Sequence, residues 1–296
     1  MPKGENIILF ISGERGLETI SELIKKKIKI DLVVLSNGFK NLSFFENHRN
    51  LNKLKVKDVN SKEFISKLSK LNPDIFIVAG FPQIFSKELL SLPNKLTINQ
   101  HAGLLPKYRG GSPLNWQIIQ GEKNIGISLI KMDEGIDSGE IILEDNFCLA
   151  NHENIYDAHC KTNKLFAAMT IKALNLLRQN KLNFETQNEQ EAIYWHQRSQ
   201  VDGKIFWRDT KAEDILNLIR AITIPYPGAY TFKNNLKIII ISAIIPETII
   251  KGNPGRVLYI QGKGPYVICS DRAILLTKYF FEKSEDDKLL HGDNLS

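Results

Sequence analysis

The chain has 296 residues, of which 43% are hydrophobic, 24% charged and 9% aromatic. That supplies a core for one large domain or two smaller ones and excludes disorder as a description of the whole. The 39 Lys and Arg against 33 Asp and Glu leave a net charge of +6, which favours anionic partners without choosing among them.

In chain order, β-rich runs alternate with helical patterns. Residues 7–11 predict a strand, 17–27 a helix, 30–35 a strand, 61–71 a helix, and 74–79 and 96–101 strands. A helix at 113–120 and a strand at 125–131 follow. Such alternation predicts an α/β fold, a Rossmann-like open and mostly parallel sheet with helices on both faces. The run at 7–11 is brief, leads into Gly13, Glu14 and Arg15 and lacks a small-residue cleavage site, so it reads as a strand rather than a signal peptide. Ile155, Ala158, Leu165, Met169, Ala173 and Leu176 recur at mostly helical spacing and predict a long amphipathic helix closing the first domain.

The stretch 180–188 is polar, rich in Asn and Gln and without periodicity, as a linker would be. A helix at 212–222 precedes β-rich runs at 237–245, 255–260, 266–269 and 273–277. These predict a small C-terminal β-rich, OB-like domain, and the polar tail 283–296 is expected to fray. The expected organisation is a catalytic domain over 1–180, a linker over 181–200 and the β-rich domain over 201–296. No apolar run approaches the ~18 residues of a membrane span.

Several local signals carry little. Gly13 and Gly16 form part of a G-x-G-x-x-G fingerprint, but the second strand ends in Ser36, Asn37 and Gly38 without an acidic residue, so a tight turn is expected rather than a nicotinamide site. Between Glu22 and Lys70 stand twelve basic residues against five acidic, a solvated face by default. Phe44 and Phe45 are expected to pack against the domain. Cys148, Cys160 and Cys269 are odd in number and show no C-x-x-C spacing, which points to neither disulfides nor zinc and to a reducing, cytoplasmic setting. His48, His152, His159, His196 and His291 show no i, i+4 pairing and are expected at surface or capping positions, with no metal site.

The chemistry concentrates in T-I-N-Q-H-A-G-L-L-P-K-Y-R-G-G-S-P-L-N-W (97–116) and K-M-D-E-G-I-D-S-G-E (131–140). Asn99 and His101 lie two residues apart at a strand's end and point to one side, at the sheet edge where open parallel sheets place ligands. Asp137 sits in a loop bracketed by Gly135 and Gly139 after the next strand. An Asn amide can stabilise an oxyanion, His can carry a proton from an attacking amine to a leaving group, and a carboxylate can orient the ring. Read alone, the Asn and His could equally satisfy each other or a loop carbonyl.

Asn-x-His with Leu-Leu-Pro-Lys-Tyr-Arg-Gly and then Asp-Glu-Gly-Ile-Asp-Ser-Gly resembles the formyltransferase family that uses 10-formyltetrahydrofolate. Farther along, Arg198, Asp202-Gly203-Lys204-Ile205, Trp207, Asn217-Leu218-Ile219-Arg220-Ala221 and Pro225-Tyr226-Pro227-Gly228-Ala229 are similar to the C-terminal β-domain of methionyl-tRNA formyltransferases and their sugar-modifying relatives. The resemblance implies Asn99 as oxyanion stabiliser, His101 as general acid and base, and Asp137 as the residue that tunes it. It implies folate contacts at Gln83, Ile84 and Phe85, at Gly103, Leu104, Leu105 and Pro106, and at Asp133, Glu134, Gly135 and Ile136. Gly103 departs from the family's usual Ser.

The acceptor is implied by what is missing. Methionyl-tRNA formyltransferases carry G-T-P-x-F after the first strand and a Pro- and Arg-rich insertion after the second. Here Ser12-Gly13-Glu14-Arg15-Gly16 follows the first strand, and 37–54 contains no proline. With Lys107 to Trp116, this resembles enzymes that formylate amino-sugar nucleotides for lipopolysaccharide or O-antigen synthesis, including the formyltransferase domain of the lipid A aminoarabinose pathway. A nucleotide-linked amino-deoxysugar is therefore the expected partner, with methionyl-tRNA the alternative. Hydrolysis of the formyl-folate and a non-catalytic folate-binding module are further alternatives. Exposed β edges leave a homodimer open.

Overall fold

The structure, a computed structural model, describes residues 5–283 and 287–296. Its first strand, β1 (Ile7–Ile11), is apolar and buried at every position, as a strand covered on both faces must be. Then come α1 (Gly13–Lys25), β2 (Leu32–Leu35), α2 (Ser43–Glu46), β3 (Lys53–Lys55), α3 (Lys62–Ser69), β4 (Ile75–Ala79), α4 (Lys87–Leu90) and β5 (Leu96–His101). Next are β6 (Arg109–Gly110), α5 (Pro113–Ile119), β7 (Asn124–Lys131), β8 (Ile141–Cys148), α6 (Ile155–Arg178) and β9 (Tyr194–Trp195). The rest comprises α7 (Ala212–Ile222), β10 (Ala229–Lys233), β11 (Leu236–Ile244), β12 (Val257–Ile260), β13 (Gly264–Ile268) and β14 (Ala273–Phe281).

The chain divides into two compact units, one of residues 1–113, 126–147 and 159–195 and the other of 114–125, 148–158 and 196–296. In the first, seven strands run in the order β3-β2-β1-β4-β5-β7-β8. The pairs from β3 to β5 are parallel and β5–β7 is antiparallel. The strand order reverses between β1 and β4, and the crevice at the carboxyl ends beside such a reversal is where a doubly wound sheet receives a ligand. Phe10 of β1 sits among Phe64, Phe76, Phe81 and Phe85 in edge-on contacts, so one face of the sheet is closed by aromatic packing.

β5 and the helix 212–222 stand where expected, while β3, β8 and β10 were not anticipated. β3 is a short edge strand with both lysines exposed, and β8 turns polar after Leu143. Edge strands are under no demand to be apolar on both faces.

Residues 181–195 are not the free linker their composition suggests. Ile141 and Glu185 exchange both backbone hydrogen bonds at 2.8 and 2.9 Å, β9 pairs in parallel with β6, and the segment through Trp195 clusters with the first unit. Backbone pairing and polar side chains fix it, which apolar periodicity cannot reveal.

In the second unit five antiparallel strands run β10-β11-β14-β13-β12. Of the tail expected to fray, 284–286 lie outside the described residues. Its end is ordered: Leu289 and Leu295 are buried, Phe232 and Ser296 exchange backbone bonds, and Val257 N–H donates to Asp293 O at 2.9 Å. The end of the chain thus bonds to both edge strands, β10 and β12, satisfying their open backbone groups. Among the described residues no helix is long and apolar enough to cross a membrane.

Candidate active site

β5 is pinned between β4 and β7, with Asn99 opposite Val78 and Ile130. Alternation along the strand buries Gln100 toward Thr19 and Thr170, to which its Nε2 donates at 3.0 Å each. Asn99 and His101 take the other side. The Asn99 carboxamide is half-buried and makes no hydrogen bond with any described residue. A carboxamide left free on a rigid strand is unusual, because buried polar groups normally find partners within the protein.

His101 is buried between two acceptors. Its Nδ1 lies 3.3 Å from Asp137 Oδ1, and its Nε2 lies 2.6 Å from the Tyr108 carbonyl oxygen. Burial alone would raise the Asp137 carboxyl. The His101 ring, the Gly110 N–H at 3.0 Å and the Arg109 charge override that and hold it below the usual carboxylate range. Asp137 is therefore an anion at neutral pH, and it favours the His101 tautomer with hydrogen on Nδ1 once Nε2 faces a ligand.

Gly103 explains itself here. A Cβ at that position would meet the Tyr108 oxygen at 2.7 Å and His101 Nε2 at 2.8 Å, so the residue's lack of a side chain is what lets the Tyr108 carbonyl reach the imidazole. The turn after His101 is held from β7: Ser128 Oγ donates to Gly103 O at 3.0 Å and accepts from Leu105 N–H at 3.2 Å, with Glu144 Oε1 2.9 Å away. A hydroxyl has one hydrogen to give, so Ser128 shares its donor between the Gly103 carbonyl and Glu144, whose pKa burial raises.

The expected folate contacts divide. Ile84, Leu104 and Ile136 present exposed apolar side chains, 76%, 36% and 56% accessible, on the loops after β4, β5 and β7. The loops after β4 and β7 meet through Lys87 and Glu134 at 2.8 Å. The other side chains are engaged within the protein, which leaves backbone groups as what these positions offer a ligand. Gln83 bridges Val59 N and Lys57 O, Phe85 is buried in the aromatic cluster, and Leu105 is buried. Asp133 is spent on Gly135 N and Ser138 Oγ. Pro106 gives its carbonyl to Ile193 N–H. At Gly103 and Gly135 only the backbone remains to offer.

Three further residues join the site with no spacing rule that points to them. Arg109 is fully buried, with Nε on Gln187 Oε1 at 3.0 Å and its two amino groups on Glu189 at 2.9 and 2.6 Å and on Tyr194 Oη at 2.7 Å. Gln187 and Ser128 complete the set. Arg109 stands in the motif that carries the family likeness, and no spacing rule links position 109 to 187.

A doubly wound sheet with an amide, an imidazole and a carboxylate gathered at its carboxyl edge defines an α/β enzyme of polar group transfer. Residues 3–174 match the formyl transferase family and residues 188–287 its C-terminal domain, and the chain belongs to that family. It is a formyltransferase. It is 37% identical over 243 residues to the methionyl-tRNA formyltransferase of Clostridium acetobutylicum, covering 81% of this chain and 78% of that one. It is 34% identical over 268 residues to the bifunctional polymyxin resistance protein ArnA of Wigglesworthia glossinidia brevipalpis, covering 84% of this chain and 40% of that one. The fold is shared with the N-formyltransferase of Helicobacter canadensis, crystallised with folinic acid and dTDP-3-aminofucose. The TM-score is 0.74 at 19% identity, over 94% of this chain and all of that one.

Proposed function

We propose that the chain transfers the formyl group of 10-formyltetrahydrofolate to a primary amine, and that the amine is that of methionyl-tRNA. The observation carrying the chemistry is the unpartnered Asn99 carboxamide on the same side of β5 as the His101–Asp137 pair. The acceptor rests on the 37% identity to a methionyl-tRNA formyltransferase across four-fifths of this chain. This reverses the amino-sugar preference drawn from the missing insertion.

The folate supplies an activated formyl carbon on N10. Asn99 Nδ2 donates to the formyl oxygen as the amine nitrogen bonds to the carbon, where one such donor contributes about 10²- to 10³-fold. His101 Nε2 leaves the Tyr108 carbonyl, takes a proton from the amine and returns it to N10 as the carbon–N10 bond breaks, worth about 10²- to 10⁴-fold. Asp137 holds the opposite nitrogen and stabilises the imidazolium between those transfers. Ile84, Leu104 and Ile136 offer apolar surface to the pterin, and backbone groups of the same loops offer its polar edge partners. The first compact unit, through Trp195, holds all of these residues.

An amino-sugar nucleotide remains the second reading for a specific reason: residues 37–55 hold only the short α2 and the three residues of β3 where a proline-rich insertion would stand. The deciding experiment offers the purified protein 10-formyltetrahydrofolate with methionyl-tRNA or with an amino-deoxysugar nucleotide and follows tetrahydrofolate release. Release with the tRNA alone supports the proposal, and release with the sugar nucleotide alone overturns the acceptor. Release without any amine identifies a hydrolase, and folate binding without turnover a non-catalytic module.

A further inference from the structure

Gln187 stands where the return segment 181–195 meets the loop of Asp137, and it is buried. Its Nε2 donates to two backbone carbonyls, Asp137 O at 2.8 Å and Gly139 O at 2.7 Å, and its Oε1 accepts from Arg109 Nε at 3.0 Å. The orientation is forced, because a guanidinium only donates and a carbonyl only accepts. Arg109 is itself immobilised by Glu189 and Tyr194, with its guanidinium 5.4 Å from the centre of the Tyr194 ring.

Asp137 needs such support. Its φ of +52° lies in the left-handed region that non-glycine residues seldom adopt, and a conformation of that kind persists only when its surroundings dictate it. Gln187 holds the main-chain oxygen of Asp137, and the N–H of Gly110, the residue after Arg109, holds Oδ2 at 3.0 Å. Backbone and carboxylate are thereby fixed from one buried centre. The remaining oxygen, Oδ1, is left facing His101 Nδ1.

We infer that Gln187 is a positioning residue for formyl transfer, acting through Asp137 by fixing the backbone that aims its carboxylate at His101. The inference rests on the reading of Asn99, His101 and Asp137 as the reacting set. It also gives residues 185–195 a role in the chemistry.

The test is Gln187→Glu, which matches the size and keeps an acceptor for Arg109 while losing both donors to the carbonyls. Turnover is measured with 10-formyltetrahydrofolate and whichever of the two acceptors is used. The expected result is a kcat lower by about ten- to a hundredfold, the range a misplaced reacting group produces, with KM for the folate changed less than about threefold. In an Asp137→Asn background the same substitution should add no further loss, because the two act as one unit. Without substrate, the ¹⁵N resonances of the His101 ring should move in Gln187→Glu. If that protein does not fold, Gln187→Met is read by the same criteria. A kcat within about twofold of the parent, an undiminished further loss in the Asp137→Asn background, or unmoved His101 resonances would overturn the positioning role. Full turnover by Asp137→Asn alone would instead overturn the underlying site reading.

Discussion

The end of β5 and the return segment 181–195 serve one site by opposite means. β5 is held by backbone ladders on both sides, so its side chains need not hold it in place and Asn99 can stay without a partner. The return segment has only a two-residue strand and one 3-10 turn. Its polar side chains are consumed in fixing it: Gln187 makes three bonds, and Glu189 and Tyr194 both go to Arg109. On the proposed reading, groups that meet a ligand stand on the strand, and groups that aim them stand on the loop. Rigid elements can leave polar atoms unsatisfied at modest cost because burial is partial and a ligand completes the bonds.

The strongest way to break that contrast is at β5. His101→Ala should lower turnover by about 10²- to 10⁴-fold and Asn99→Ala by about 10²- to 10³-fold, both read as tetrahydrofolate release, with folate binding largely intact. A near-normal rate for Asn99→Ala would mean that its free carboxamide is incidental.

Next is the junction of the two regions. A Cβ on Gly110 would sit 2.3 Å from the Trp195 carbonyl oxygen, and its φ of +93° disfavours any side chain. Gly110→Ala should cost about 1–3 kcal/mol in urea unfolding and should lower turnover too, since its N–H is a ligand of Asp137. Unchanged unfolding would show that β9 can detach from β6 freely.

A third prediction uses a group outside both regions. Burial, aided by the Arg15 charge, pushes partly buried His159 down from 6.5 to about 4, so it is not the surface residue its sequence context suggested. The folded state therefore binds fewer protons than the unfolded chain between those values. The stability this confers is present above pH 6.5 and is lost as the pH falls toward 4. His159→Gln should flatten the decline of Tm across that window, and a curve parallel to the parent's would refute the assignment.

The smallest effect is expected at Lys87, whose ion pair with Glu134 is exposed on both sides. Lys87→Ala should leave the urea midpoint unchanged, as solvated pairs add little. A measurable shift would mean that the segments carrying Lys87 and Glu134 depend on each other more than their exposure suggests.

Much of this was legible in the residues. The apolar runs at 7–11 and 74–79 and the N-x-H ending of 96–101 stand as strands of a parallel sheet, because burial on both faces demands continuous apolar sequence. The loop with Asp137 between two glycines does approach His101. The inward turns of Gln83, Phe85 and Leu105 were not legible, since a loop's apolar residue may face core or ligand with identical sequence. Nor was Gln187, whose partners lie 50 and 78 residues away in a stretch without periodicity.

By itself, then, the sequence determined the alternation of strands and helices, the β-rich second half, and the Asn99, His101 and Asp137 set with its family likeness. These follow from periodicity and short-range spacing, which are properties of neighbouring residues. Tertiary structure alone decided which polar atoms remain free and which are spent: Asn99 open, Asp133 and Gln83 engaged, His101 between Asp137 and the Tyr108 carbonyl, and residues 181–195 bound to the catalytic unit. Hydrogen bonds of that kind depend on distances between segments far apart in the chain, and no local pattern encodes them.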